Sequence, residues 1–202
     1  FQNPVYTYNF DGNYMTELEI ISDKGCYNTL TTEITINEIP EVEITISEVC
    51  EGERNLFNSV SEITNGYISN WEWDFGDFSF LGLEEAVAHT YSENGTYNVD
   101  LTINSNKGCE NSVSSIAIVN DRPEVDFTTE NVCINEISYF NDFSIVEDAE
   151  IVQWIWNFGD DNTSSFENPT NTYLEDGAYE VYLGVVSNKL CRSSAIKDIQ
   201  IY

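Results

Sequence analysis

The feature that limits this chain most is that it repeats. Displacing the sequence by 83 positions sets Tyr8 on Tyr91, Gly12 on Gly95, Tyr14 on Tyr97, Lys24 on Lys107, Gly25 on Gly108, Cys26 on Cys109 and Pro40 on Pro123. The same displacement carries Cys50 to Cys133, Phe57 to Phe140, Ile68 to Ile151, Trp71 to Trp154, Trp73 to Trp156, Phe75 to Phe158, Gly76 to Gly159 and Asp77 to Asp160. After one deletion in the following loop it becomes 82, and Tyr91, Gly95, Tyr97 and Cys109 fall on Tyr173, Gly177, Tyr179 and Cys191. A fixed period means an array of similar units. Its register divides the chain into the back half of one unit, residues 1–38, and two complete units, residues 39–121 and 122–202. The junctions, NEIPE and NDRPE, are short and polar, and their prolines stiffen them by fixing one backbone angle and extending the residue before.

Within each unit the apolar period is two, the mark of a strand with one buried face. Tyr97, Val99, Leu101 and Ile103 alternate with Asn98, Asp100 and Thr102, and the pattern recurs at Tyr179, Val181, Leu183 and Val185 and at Tyr14, Thr16, Leu18 and Ile20. Val42, Ile44 and Ile46 form a further run, as do Leu30, Thr32, Ile34 and Ile36. No stretch carries a helical stripe. About seven short strands per unit, separated by Gly, Asn, Asp and Ser clusters, predict an all-β chain of tandem antiparallel sandwiches. The two strands of the opening half-unit cannot bury Tyr14, Leu18, Ile20, Leu30, Ile34 and Ile36 between them and call for a partner sheet.

Thirty-six acidic residues against seven basic ones leave a net charge of −29. Such a surface repels nucleic acid and anionic headgroups, which excludes DNA or RNA as partners. No run approaches 18 apolar residues, so no insertion into a membrane is expected, and the opening FQNPVYTYNF lacks the layout of a signal peptide, so the chain reads as an excised fragment.

Each complete unit has one cysteine after its first strand and one after its long alternating strand. Their positions predict structural disulfides pairing Cys50 with Cys109 and Cys133 with Cys191, with reduced buried thiols as the rival state. A loop of this length restricts the unfolded chain by about 4 kcal/mol. Cys26 matches Cys109 and Cys191, so its partner is expected upstream. Bridged cysteines place the protein outside the cell or in an envelope compartment. Without a C-x-x-C motif, and with His89 as the lone histidine, zinc and redox chemistry are not expected.

The segments WEWDFGDF (71–78) and WIWNFGDD (154–161), followed by HTY or NTY and then by ENGTYNVDLTI or EDGAYEVYLGV, resemble the PKD family of immunoglobulin-like domains. That family's signature is W-x-W-D-F-G-D-G, then N-P…H-x-Y, then G-x-Y-x-V-x-L-x-V. Phe78 and Asp161 stand where the family has glycine, and Asn157 replaces an Asp, which implies a less tight turn. The cysteine pairs and acidic composition further resemble repeats of large secreted surface proteins of the Bacteroidota, including gliding-motility adhesins.

Trp71, Trp73 and Phe75, like Trp154, Trp156 and Phe158, lie at alternate positions and share a strand face. With Tyr91, Tyr97, Tyr173 and Tyr179 they form the expected core signature; the competing reading is aromatic stacking on sugar rings. Asp74, Asp77, Asp160 and Asp161 are expected to accept turn amides. Together with Asp121, Glu124 and Asp126 around Pro123, and with Glu38 and Glu41 around Pro40, they are also weak calcium candidates, although no EF-hand spacing occurs. His89 is replaced by Asn171 in the next unit, and no nucleophile elbow, P-loop or dinucleotide fingerprint is present, so no catalytic or cofactor-binding residue is assigned. The sequons at Asn94 and Asn162 are discounted as coincidence.

An enzyme is therefore not expected. At about 3.3 Å per residue, each unit would advance a rod by roughly 30 to 35 Å. The leading expectation is a non-catalytic structural or adhesive stalk of a large cell-surface protein, its partners being neighbouring repeats and an extracellular surface. The alternative is a substrate-binding module of a secreted polysaccharide hydrolase or protease, recognising polysaccharide or protein.

Overall fold

The computed structural model describes residues 3–79 and 83–202. Among them are strands, turns and bends, and no helix long and apolar enough to cross a membrane. The opening half-unit is a ribbon of β1 (Gly12–Ile21) and β2 (Tyr27–Ile36). The middle repeat contains β3 (Glu41–Ile46), β4 (Val49–Cys50), β5 (Arg54–Glu62), β6 (Ile68–Asp74), β7 (Ala86–Thr90), β8 (Gly95–Ser105) and β9 (Glu110–Asn120). The third contains β10 (Phe127–Thr128), β11 (Ile137–Tyr139), β12 (Asn141–Asp142), β13 (Ile151–Asn157), β14 (Thr163–Ser164), β15 (Thr170–Thr172), β16 (Gly177–Ser187) and β17 (Arg192–Ile201).

In the middle repeat the sheets run β3-β5-β7 and β4-β9-β8-β6; in the third, β14-β13-β16-β17 faces the short pairs β10-β12 and β11-β15. These are the immunoglobulin-like sandwiches expected from the alternation, and the alternating runs at Val42, Tyr97 and Tyr179 fall in β3, β8 and β16. Two compact units emerge from the contacts. One comprises residues 1–46, 56–87 and 98–116, and the other residues 47–55, 88–97 and 117–202.

The core of the third repeat is built on Trp156, fully buried between Phe127 and Phe140, with ring centroids 5.1 and 5.7 Å away. Val181, Leu183, Val185, Ile199 and Ile201 close around it from β16 and β17. Phe57 meets Trp73 and Phe75 in the same way in the middle repeat, at 6.1 and 4.9 Å. A buried indole must also satisfy its N–H. Trp73 Nε1 donates to the Glu84 carbonyl at 2.8 Å, and Trp156 Nε1 to the Phe166 carbonyl at 3.0 Å.

β1 and β2 pair from Gly12↔Ile36 to Ile21↔Tyr27, the register in which β16 and β17 pair from Gly177↔Ile201. Thr16, Leu18 and Ile20 thus hold the positions of the buried Val181, Leu183 and Val185. In the ribbon, Leu18 stands 57% exposed and Ile20 and Leu30 are similarly open.

The turn after each tryptophan strand keeps its shape without the family's second glycine. Phe78 and Asp161 adopt φ of 62° and 68°, in the left-handed region, just after Gly76 and Gly159 at 74° and 81°. The Asp-to-Asn exchange is equally silent, since Asp74 Oδ1 and Asn157 Oδ1 each accept the glycine N–H two residues on at 2.9 Å. The expected loosening is thereby corrected: a side-chain acceptor and one obligatory glycine hold the turn, and the neighbouring residue bears the strain.

The cysteine pairing is also corrected. Cys50 bonds Cys191, with S–S 2.01 Å and Cα–Cα 5.6 Å across a sequence separation of 141, while Cys109, Cys133 and Cys26 are free thiols. Both bonded residues belong to the second compact unit. Pairing within a repeat fails on distance. Val132 pairs in parallel with Ile201 at the far end of β17, whereas Cys191 precedes its near end. Ten strand residues span roughly 30 Å, and a disulfide requires Cα atoms within about 7 Å. Val49↔Val119, at the far end of β9 from Cys109, sets the same separation in the middle repeat.

Phe78 is fully exposed, so Phe78→Gly loses no packing and should stabilise the chain by about 0.5 to 1 kcal/mol through relief of left-handed strain, read as a higher urea midpoint. Tyr173 is buried and donates its hydroxyl to the Phe158 carbonyl at 3.0 Å. Burial pushes its phenol up to about 12. An unfolded tyrosine releases its proton near pH 10, so between about pH 10 and 12 the folded state binds the extra proton. Stability from this group is complete below about pH 10 and falls as pH rises toward 12. Urea melts at stepped alkaline pH should show that decline, and Tyr173→Phe should flatten it.

Candidate functional site

The acidic candidates are dispersed among turns, a strand and a bridge. Asp77 Oδ1 accepts from Ser79 N at 3.0 Å. Asp160 accepts from Asn162 N and from the amides of Asn162 and Asn171, at 3.1, 2.9 and 2.8 Å. Glu124 bridges Ile145 through its backbone, Asp126 pairs with Lys197 at 2.5 Å, and Glu41 lies exposed on β3. Glu38 receives the N–H groups of Thr64 and Asn65, each at 3.0 Å, and Asp121, one period on, receives that of Glu147 at 3.1 Å. The hydrogen bond from Thr64 N–H is the main cause of the lowered Glu38 pKa, and the bond from Lys197 does the same for Asp126. Among the described residues, no three His, Cys, Asp or Glu side chains converge where they could hold a metal ion. His89 packs edge-on against Tyr91, with ring centroids 4.6 Å apart.

The aromatic signature divides by depth. Trp73, Phe75, Tyr91, Trp156, Phe158 and Tyr173 are buried, whereas Trp71, Trp154, Tyr97 and Tyr179 are half-buried. Tyr97 stacks on Tyr91 at 3.9 Å and Tyr179 packs tilted against Tyr173 at 4.4 Å, and the two donate to the carbonyls of Glu93 and Glu175, four residues before them. The Trp154 indole donates to Asp142 Oδ2 at 2.7 Å. Ser59 stands one period before Asp142, and the Trp71 indole nitrogen is buried with no partner.

The surface suited to a ligand is a groove on the outer face of the third repeat, with a volume of about 780 Å³. Its floor is set by register. Ile155 opposes Gly184, and Asn157 opposes Tyr182. A Cβ at Gly184 would lie 2.7 Å from the Tyr182 hydroxyl, so the glycine lets the Tyr182 ring lie along the sheet beside Ile155. The wall is the segment Thr163, Ser164, Ser165 and Phe166. Trp156 grips the Phe166 carbonyl from within the core, and Ser164 Oγ accepts the Phe166 N–H at 3.2 Å, which leaves the Phe166 ring 76% exposed. Gln153 and Asn157 add amide groups to the lining.

Position by position, the middle repeat differs. Glu72 stands for Ile155, Asp74 for Asn157, Glu84 for Phe166 and Asp100 for Tyr182. Trp73 grips the Glu84 carbonyl as Trp156 grips that of Phe166, so the backbone frame is shared and only the chemistry of its surface changes. Four carboxylates give way to one amide and three apolar or aromatic side chains, in a chain whose net charge is −29. Ile155, Phe166 and Tyr182 carry no motif that marks them in the sequence; the signal lies in the positions where the repeats disagree.

The fold defines a chain of tandem immunoglobulin-like sandwiches. Residues 37–119 and 120–201 each match the PKD domain family, and the chain belongs to it. Collagenase ColA of Clostridium perfringens is 33% identical over 137 residues, covering 66% of this chain and 11% of that protein. Collagenase ColQ1 of Bacillus cereus is 28% identical over 170 residues, covering 81% of this chain and 15% of that protein. The chain therefore spans a small fraction of either relative. Among solved structures, the PKD1 domain of Vibrio anguillarum Epp is 27% identical, covers 41% of this chain and 95% of its own, and superposes with a TM-score of 0.39.

Asp142→Ala should orphan the Trp154 indole and two bonds from Ser144, lowering stability by about 1 to 3 kcal/mol; urea unfolding followed by tryptophan fluorescence measures it.

Proposed function

We propose that this chain is a non-catalytic, substrate-engaging segment of a secreted protein-degrading enzyme, and that the third-repeat groove holds an extended, proline-rich chain of collagen type. The observation that carries the reading is the kinship with collagenases, 33% identity over 137 residues in one case. The groove supports it chemically. Aromatic-lined grooves receive polyproline II segments, whose extended form is set before binding and so loses little entropy. Phe166, Tyr182 and Ile155 offer such a lining, and Gln153 and Asn157 can reach peptide groups that have no partner within an extended chain. An uncharged patch within an acidic surface also selects an uncharged ligand over a polyanion. An extracellular setting accords with the disulfide.

The stalk of an adhesin, including one for gliding motility, is the second reading. The observation favouring it is the covalent link between successive repeats, which suits a load-bearing tether.

Co-sedimentation of the 202-residue chain with fibrillar type I collagen, and retention on immobilised gelatin, separate the two. Binding is expected. Phe166→Glu, which installs the middle repeat's residue at an exposed position, should weaken it by about tenfold or more, as loss of an aromatic anchor does. A folded wild-type chain that ignores both matrices would sink the collagen reading and leave the stalk.

A further inference from the structure

The cysteines that remain free sit in the same local structures as the two that are bonded. Cys50 opens a turn in which Glu53 N donates to the Cys50 carbonyl at 3.0 Å, Gly52 N to Tyr91 at 2.8 Å and Glu51 N to Asn120 at 3.0 Å. One period on, Glu136 N donates to Cys133 at 3.1 Å, Asn135 N to Tyr173 at 3.0 Å and Ile134 N to Tyr202 at 2.9 Å. Gly52 and Asn135 are both left-handed, at φ 70° and 66°, and the Cys50 and Cys133 amides both donate to the glutamate three residues on. These are the same turn.

The other class occupies the β-hairpin turn. Ser22, Ser105 and Ser187 donate their N–H to the carbonyls of Cys26, Cys109 and Cys191 at 2.8, 2.8 and 2.9 Å. Each serine hydroxyl receives the cysteine N–H, at 3.1, 3.2 and 3.2 Å. Gly25, Gly108 and Leu190 are all left-handed there, at 78°, 79° and 66°. One member of each class, Cys50 from the middle repeat and Cys191 from the third, forms the disulfide. Arg122 braces it, donating to the Glu51 carbonyl at 2.8 Å, the Arg192 carbonyl at 3.1 Å and the Glu53 carboxylate at 3.1 Å.

We infer that this bond is one member of a series. The turn cysteine of each repeat bonds the hairpin cysteine of the repeat that follows it. Cys133 takes the hairpin cysteine of a following repeat, and Cys109 and Cys26 take the turn cysteines of repeats preceding theirs. Each bond forms by exchange with a disulfide oxidant such as oxidised glutathione. One cysteine thiolate attacks it and releases a glutathione thiolate, and the second cysteine displaces the other. Two protein thiols are oxidised, and one glutathione disulfide is reduced to two thiols.

The test appends a second copy of residues 121–202 directly after Tyr202, oxidises the chain in a glutathione buffer, caps free thiols and maps the peptides without reduction. Expected are the Cys50–Cys191 bond and a new bond from Cys133 to the appended copy of Cys191. Three free thiols remain, as in the 202-residue chain. A bond between the appended copies of Cys133 and Cys191, or a folded extended chain with Cys133 still reduced, overturns the inference. A second measurement needs no extension. In the 202-residue chain, Cys50→Ser should leave all four remaining cysteines free, and a Cys133–Cys191 bond would overturn the proposal.

Discussion

One buried hydrogen bond ties a loop to the core in each of the two complete repeats. A strand tryptophan places its ring at the centre of the core, where water is absent, and its N–H must be met by protein. The partner is a loop carbonyl, Glu84 for Trp73 and Phe166 for Trp156. That requirement ties the loop to the sheet, so the side chain of the gripped residue necessarily faces outward. Core packing thus determines where a surface residue stands without determining what it is, and the repeat array can vary surface chemistry on a constant frame.

The same separation of frame from content explains the acids. A charge of −29 invites assignment to cation binding, yet Asp74, Asp77, Asp121, Asp160 and Glu38 each accept backbone N–H groups of a nearby turn or loop. Backbone donors left exposed at loop ends need acceptors, and short carboxylate side chains supply them locally. Glu38 and Asp121 do this at successive junctions, which makes the junction acids part of the loop architecture. The groove of the third repeat is conspicuous because it departs from this pattern.

Much of the fold was legible because period-two alternation and an 83-residue repeat are both direct records of geometry. Strands, sandwich class and the buried Trp73 and Trp156 follow from them. The disulfide did not follow, because equivalence between repeats identifies which cysteines are alike but not which are near. Nearness depends on strand direction: Cys50 lies at the far end of β9 and Cys109 at its beginning, a fact carried by topology alone. The turn at Phe78 and Asp161 departs from the family's glycine pattern for a different reason. Glycine is the residue of lowest strain in the left-handed region, but a turn held by Asp74 or Asn157 can impose that conformation on another side chain. The groove is recorded in the sequence by contrast between repeats and not by identity: Glu72 stands against Ile155 and Asp100 against Tyr182.

The Cys50–Cys191 bond encloses 141 residues of sequence separation, including the junction between two repeats. Any peptide bond cut between those two cysteines opens the backbone without releasing a fragment, because both pieces stay joined through sulfur. A chain exposed to proteolysis would in this way survive a single nick inside that loop as one molecule, its two pieces separating covalently only on reduction.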